Sequence, residues 1–150
     1  MSDAAVRARA NDIPVYEFDS LAWTTPKPLS ESRVAIVTTA GLRTDTATLW
    51  SQSDEGFTVL PHGTNALSFA HFSPNFDRSG FNLDINTVLP TDRLDEMAAA
   101  GTIGSVARQH ISFMGAQKDH NLATMRLDTG PAAAQLLRED EVDTILLTPV

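Results

Sequence analysis

The sequence predicts an α/β fold, in which helices flank a mainly parallel sheet. Two segments, 33–41 and 144–148, are rich in Val, Ile, Leu and Thr, as is typical of parallel strands that are buried on both faces. Helical patterns alternate with further strand candidates between these two segments. The chain has 150 residues, of which 42% are hydrophobic, so it is long enough to bury one sizeable core.

Three shorter strands are predicted from apolar runs bounded by turn-forming residues. They cover residues 57–61, 66–70 and 110–114. Residues 42–56 show no clear period, and we expect them to form a loop that could include a helical turn. Residues 71–84 are rich in aromatic residues, Asn and Asp and contain a glycine, which also predicts a loop.

Three helices are predicted between or after these strands. The first covers residues 90–101, where Thr91 or Asp92 can cap the N-terminus. The others cover residues 103–109 and 131–138, and the last of these begins with a proline, which suits a first helical turn. The order of the elements indicates a Rossmann-like, three-layer architecture, and sites in such sheets lie beyond the carboxyl ends of the strands.

The chain divides into an N-terminal extension, residues 1–32, and a main domain, residues 33–150. The extension is polar and irregular, and we expect anchors such as Tyr16 and Trp23 to pack it on the body. Only two residues follow the strand predicted at 144–148, so its functional loop is missing. We therefore expect the domain to be the N-terminal part of a longer one.

The composition excludes several classes of function. Eleven basic residues face 19 acidic ones, which gives a net charge of −8 and argues against binding to nucleic acid or to anionic membranes. No apolar segment is long enough for a membrane span or a signal peptide, so we expect a cytoplasmic protein. There is no cysteine, which excludes disulfides, thiolate zinc sites and cysteine nucleophiles.

The densest polar cluster covers residues 71–78. His71 could act as an acid or a base, because imidazole titrates near neutral pH, and Asp77 or Asp84 could orient it. The four histidines could instead build a metal site, although no pair has the spacing of a helical zinc motif. The third interpretation is a loop whose side chains satisfy its own backbone.

The turn at residues 38–41 also follows a strand and could hold an anion with its backbone N–H groups. It lacks the further glycines and the lysine of a phosphate-binding loop, which favours a structural strand-to-loop turn.

A family resemblance rests on seven segments that occur in order and at matching spacing over residues 33–150. The segments are VAIVTTAGL (34–42), HFSPNFDRSG (71–80), DIN (84–86), VLPTDRL (88–94), GTIG (101–104), HISFMG (110–115) and DTILLTPV (143–150). Together they resemble the selenoprotein B family of the glycine, sarcosine, betaine and D-proline reductases, and most of all its small D-proline reductase branch.

The resemblance implies a subunit of a reductase that cleaves a carbon–nitrogen bond in a small amino-acid substrate, such as D-proline, glycine, sarcosine or betaine. It also implies a partner reductase subunit that carries a carbonyl group, and a dithiol or thioredoxin-type donor. In selenocysteine-containing relatives, the segment that resembles residues 147–150 is followed directly by the selenocysteine. We therefore expect that the reading frame was closed after Val150 at a UGA codon, and that the chain itself holds no cofactor or metal.

The resemblance also implies a set of site residues around that selenocysteine. From their residue types, we expect His71 or His110 to handle protons, and Arg78 or Arg93 to receive a substrate carboxylate. The polar residues expected to line the remainder of the pocket are Asp77, Asp84 and Asn86.

Two other functions stay open. The chain could be a cysteine-free domain that binds small carboxylates or acts as a scaffold, or a metal-dependent hydrolase built from His and Asp. A homo-oligomer is also left open. If the domain continues beyond Val150, we expect an uncovered apolar sheet edge at residues 144–148.

Overall fold

The computed structural model describes residues 24–44, 54–73, 78–117 and 122–150, together with residues 4–5, 7–8, 12, 16–19 and 22. Its centre is strand β1 (Arg33–Thr38). Strands β5 (Ser105–Val106) and β6 (Gln109–Phe113) pair with one edge of β1, and β7 (Thr144–Thr148) pairs with the other edge, all in parallel. Strand β3 (Phe57–Pro61) is antiparallel to β6. The predicted α/β fold with a mainly parallel sheet is therefore confirmed.

A second, two-stranded sheet was not predicted. It pairs β2 (Leu42–Thr44) antiparallel to β4 (Leu67–Phe69). The expectation of a loop from residue 42 is wrong at β2, because Leu42 is fully buried and its N–H donates to the Ser112 hydroxyl at 2.7 Å. These tertiary contacts outweigh the weak local pattern.

Among the described residues from 24 onwards, three α-helices accompany the sheets: α1 (Ser79–Leu83), α2 (Thr91–Ala99) and α3 (Gly130–Glu139). Helices α2 and α3 confirm the predictions for their segments, and a short π-helical segment precedes α3. Helix α1 falls where a loop was predicted, because Phe81 is buried and its ring stacks on that of Phe69.

The helix predicted over residues 103–109 is wrong. This segment instead enters the sheet as β5, and the Ala107 N–H donates to Val34 O at 2.9 Å. Backbone hydrogen bonding to β1 replaces the helical pattern. The predicted side-chain cap of α2 is also wrong, because Pro90 occupies the cap position and neither Thr91 nor Asp92 caps the helix.

The sheet separates two apolar clusters, because successive residues of β1 point to opposite faces. On one face Ile36 packs in a cluster with Leu60 and with Leu94 of α2. On the other face Ala35 packs in a cluster with Leu137 of α3. The two helices therefore cover opposite faces and complete three layers.

Strand β7 forms an apolar edge of the sheet. The exposed fractions of Ile145, Leu146 and Leu147 are 43%, 39% and 67%. The prediction of a buried strand is wrong here, because among the described residues only β1 pairs with β7. The uncovered apolar edge that we expected at this position is present.

The described part of the N-terminal extension contacts the body through backbone and side chains. The Gly104 N–H donates to Leu29 O at 3.0 Å, and the Ser105 N–H donates to Ser32 O at 3.2 Å. The Arg126 guanidinium lies 3.5 Å from the centre of the Tyr16 ring, and Lys27 pairs with Asp143 at 2.6 Å. Trp23 lies outside the described residues, and the boundary at residue 32 stays a prediction. None of the described helices combines the length and the apolar character that a membrane span needs.

Candidate functional site

The carboxyl ends of β1 and β7 meet at one edge of the sheet, and Thr39 joins them. Its N–H donates to Thr148 O at 3.2 Å, and its hydroxyl accepts from the Val150 N–H at 2.9 Å. The same hydroxyl donates to Val150 O at 3.2 Å. One side chain therefore fixes the backbone of residue 150 at the edge where sites of such sheets lie.

The backbone N–H groups of the turn at residues 38–41 donate to acceptors in the protein itself. The Ala40 N–H donates to the Thr38 hydroxyl, and the Gly41 N–H donates to Phe113 O. With the Thr39 N–H also bonded, this turn offers no cradle for an anion, and the interpretation as a structural turn is confirmed.

Two glycines allow close backbone contacts at this edge. A Cβ on Gly115 would lie 2.8 Å from Thr39 O and 2.9 Å from Val150 O, so no side chain fits. Gly41 has φ +64°, and a Cβ there would lie 3.2 Å from the His71 backbone nitrogen. Gly41 and Gly115 thus bring His71 and Val150 to the same strand-to-loop turn.

His71 is buried beside this turn, with 4% of its surface exposed. Its Nδ1 accepts from the Ser73 N–H at 3.2 Å, so the proton of the neutral ring is on Nε2. Burial lowers the pKa of His71, and the nearby Arg78 guanidinium lowers it further. His71 is therefore a neutral imidazole at pH 7 that can donate through Nε2.

Arg78 and Arg93 already have partners in the structure. Arg78 donates to His71 O at 2.8 Å, and Arg93 pairs with Glu96 at 3.0 Å on the exposed face of α2. Arg78 is thus bonded to the backbone of His71, whereas Arg93 forms an i,i+3 ion pair on the surface of α2.

Asp84, Asn86 and Asp92 form one hydrogen-bond network at the start of α2. Asp84 Oδ1 accepts from the N–H and the side-chain amide of Asn86, both at 2.9 Å, and these bonds lower the pKa of Asp84. Asn86 also donates to Asp92 Oδ2 and accepts from the Asp92 N–H. Hydrogen bonds from Asp84 through Asn86 to Asp92 therefore connect the end of α1 to the start of α2. Asp77, which was also expected in the pocket, lies outside the described residues.

His110 is separated from this edge. It lies near the amino end of β6, fully buried, and its Nδ1 accepts from the Ile36 N–H at 3.1 Å. Its Nε2 therefore carries the proton and donates to His62 Nδ1 at 3.1 Å. His62 Nε2 in turn donates to Asp95 Oδ1 at 3.1 Å. His110 thus completes the hydrogen bonding of β1, and it does not lie beside His71.

The sequence analysis considered Thr39 only for its backbone N–H, in the turn at residues 38–41, and it missed the Thr39 side chain and Gly115. Neither has a titratable side chain, and their importance depends on contacts across more than 70 residues of sequence. Among the described residues, no three His, Asp or Glu side chains are grouped so that they could hold a metal ion, and His120 lies outside these residues.

Comparison with known proteins decides the family. The family model described as glycine/sarcosine/betaine reductase selenoprotein B matches residues 7–150. The chain belongs to this family. It is also 31% identical over 151 aligned residues to D-proline reductase subunit gamma of Acetoanaerobium sticklandii.

This alignment covers 99% of the chain but only 62% of the relative. The selenoprotein B resemblance of the seven sequence segments is thereby confirmed. No solved structure matches the chain.

Proposed function

We propose that this selenoprotein B family chain is a subunit of a reductase that cleaves a carbon–nitrogen bond of an amino acid. The family match over nearly the whole chain carries the proposal. The family description refers to glycine, sarcosine and betaine, and the name of the relative refers to D-proline. These names support small amino acids and their N-methylated derivatives as substrates.

The proposed site is the carboxyl edge formed by β1, β6 and β7. Thr39 fixes the backbone of Val150 there, and Gly115 leaves room for this close approach. We also propose that a selenocysteine follows Val150, as in the relatives that the sequence resembles, and that the partner subunit carries a carbonyl group. A selenol is largely ionised at neutral pH, so it would supply a nucleophile at this edge.

The proposed reaction needs two electrons and two protons for each bond that is cleaved. A dithiol donor supplies the electrons and becomes a disulfide, and the carbon and the nitrogen of the cleaved bond each receive a hydrogen. Cleavage in the ring of D-proline leaves a single open-chain product. Because Nδ1 of His71 accepts from Ser73, the ring can only donate through Nε2. We propose that His71 orients a group at the edge by donating a hydrogen bond from Nε2, and that His110 takes no part.

The nucleotide sequence beyond the Val150 codon tests the selenocysteine, with an in-frame UGA as the expected result. The subunit proposal is tested by purifying the chain with its bound partners and supplying D-proline, glycine, sarcosine or betaine with dithiothreitol. We expect one of the four to be consumed with oxidation of the dithiol. A UAA or UAG codon would refute the selenocysteine, and an assembled complex that consumes none of them would refute the reductase.

One observation favours a second candidate, a domain that binds small carboxylates or acts as a scaffold without redox activity. The chain itself contains no cysteine and hence no thiol. This candidate predicts ligand or partner binding in the absence of any dithiol oxidation.

A further inference from the structure

Arg43 and Ser68 face each other in the small sheet. Arg43 of β2 pairs in register with Ser68 of β4, so both side chains are on the same face. The neighbouring Leu42 is fully buried in the core cluster, and alternation therefore places Arg43 and Ser68 on the opposite face of this sheet.

Both side chains contain buried polar atoms without a partner. Arg43 Nε and the Ser68 hydroxyl are shielded from solvent, and neither has a hydrogen bond. Within the described part of the chain no acid pairs with Arg43, whereas Arg33 and Arg108 share Asp140. A buried guanidinium nitrogen and a buried hydroxyl without acceptors are unfavourable, although Arg43 and Ser68 as whole residues are half-buried. An anion with two oxygens satisfies both groups.

We propose that Arg43 and Ser68 bind a carboxylate. One oxygen accepts from the Arg43 guanidinium and the other from the Ser68 hydroxyl, in a charge-assisted pair of hydrogen bonds. A carboxylate fits better than a phosphate, because the site offers one positive charge in a chain of net charge −8. Strand β2 starts next to Gly41, which contacts His71, so this site adjoins the carboxyl edge.

If the proposed reductase function holds, the bound group is the substrate carboxylate. This identification rests on that proposed function, but carboxylate binding itself does not. Arg43 would then receive the carboxylate that the residue types had led us to expect at Arg78 or Arg93.

Calorimetric titration of the purified protein with D-proline, D-prolinamide and inorganic phosphate tests the site. We expect D-proline to bind and the other two to bind at least about tenfold more weakly. Arg43→Gln should weaken D-proline binding by about 10- to 100-fold, and Ser68→Ala by several-fold. Arg138→Gln, on the exposed surface of α3, is the matched control and should bind as the wild type does.

Arg43→Lys keeps the positive charge but lacks the planar pair of N–H donors. A folded Arg43→Lys protein with weaker binding would show that the loss of affinity is not caused by a folding defect. We expect it to fold and to bind more weakly than the wild type. Equal D-proline affinity in the wild type and Arg43→Gln, equal binding of D-prolinamide, tighter binding of phosphate, or no binding by the wild type would each overturn the site. Binding that depends on Arg43, together with no carbon–nitrogen cleavage by the assembled complex supplied with dithiothreitol, would refute the reductase and leave the carboxylate site intact.

Discussion

Lowering the pH from 7 to 5 is expected to destabilise the fold through His110. Burial, with a smaller contribution from His62, lowers the pKa of His110 from 6.5 to about 4 in the folded protein. In the unfolded chain the imidazole titrates near its ordinary value. Between pH 6.5 and 4 the unfolded chain therefore binds more protons. The contribution of His110 to stability is fully present above pH 6.5 and is lost as the pH falls towards 4.

The geometry explains why the charged form is unfavourable. Nδ1 of His110 accepts from the Ile36 N–H, so a proton there would oppose the backbone donor. The lowered pKa corresponds to about 3 kcal/mol in total, of which about 2 kcal/mol is lost between pH 7 and 5.

Urea unfolding followed by circular dichroism at pH 7, 6 and 5 measures this loss as a change in midpoint at constant slope. The comparison is His110→Asn, whose carbonyl oxygen can still accept from the Ile36 N–H but which does not titrate. We expect this variant to be less stable at pH 7 and to lose much less stability on acidification. A smaller dependence should remain, because burial and Arg78 also lower the pKa of His71. If both proteins lose the same free energy between pH 7 and 5, the argument for His110 is wrong.

Three further predictions concern packing, a buried charge and the open edge. Gly115→Ala should destabilise the fold by about 1–3 kcal/mol in urea unfolding, because its Cβ meets two backbone oxygens; Gly80→Ala, with 3.9 Å of space, should be tolerated. Asp140→Asn should cost about 3 kcal/mol, because this 2%-exposed carboxylate accepts from two arginines; Glu96→Gln, in an exposed pair, should cost less than about 1 kcal/mol. Leu147→Lys should reduce concentration-dependent light scattering, because Leu147 is exposed on an apolar edge strand. Unchanged unfolding midpoints for Gly115→Ala or Asp140→Asn would contradict the packing and buried-charge arguments. Unchanged scattering for Leu147→Lys would contradict the argument for the open edge.

Local patterns predicted the elements whose ends are marked by local chemistry. The prediction for β3 at residues 57–61 has the observed bounds, because a glycine and a turn enclose a short apolar run. Helix α3 also begins where its proline predicted. The segment 103–109 was mistaken for a helix, since only its contact with β1 gives it an extended form. The residues of β7 alone predicted a buried strand, because an apolar strand has the same pattern at the centre and at the edge of a sheet. Its exposure followed only from the expectation of a longer domain.

The candidate site was predictable in part. The family and the carboxyl edge followed from sequence segments and from general rules for parallel sheets. The separation of His110 from His71 could not be predicted, because the partners of His110 are 48 and 74 residues away in sequence. Arg43 gave no signal either, since an arginine without an acceptor is recognisable only after the neighbouring strand is placed.

The most direct test of the central claim is the stoichiometry of substrate and dithiol in the purified complex, measured without oxygen because thiols and selenols oxidise readily. Mass spectrometry should show that D-proline, glycine, sarcosine or betaine loses its carbon–nitrogen bond. One dithiothreitol should be oxidised for each bond cleaved. An intact complex that leaves all four compounds unchanged, with no dithiothreitol oxidised beyond a control without substrate, would contradict the assignment of this chain to a reductase.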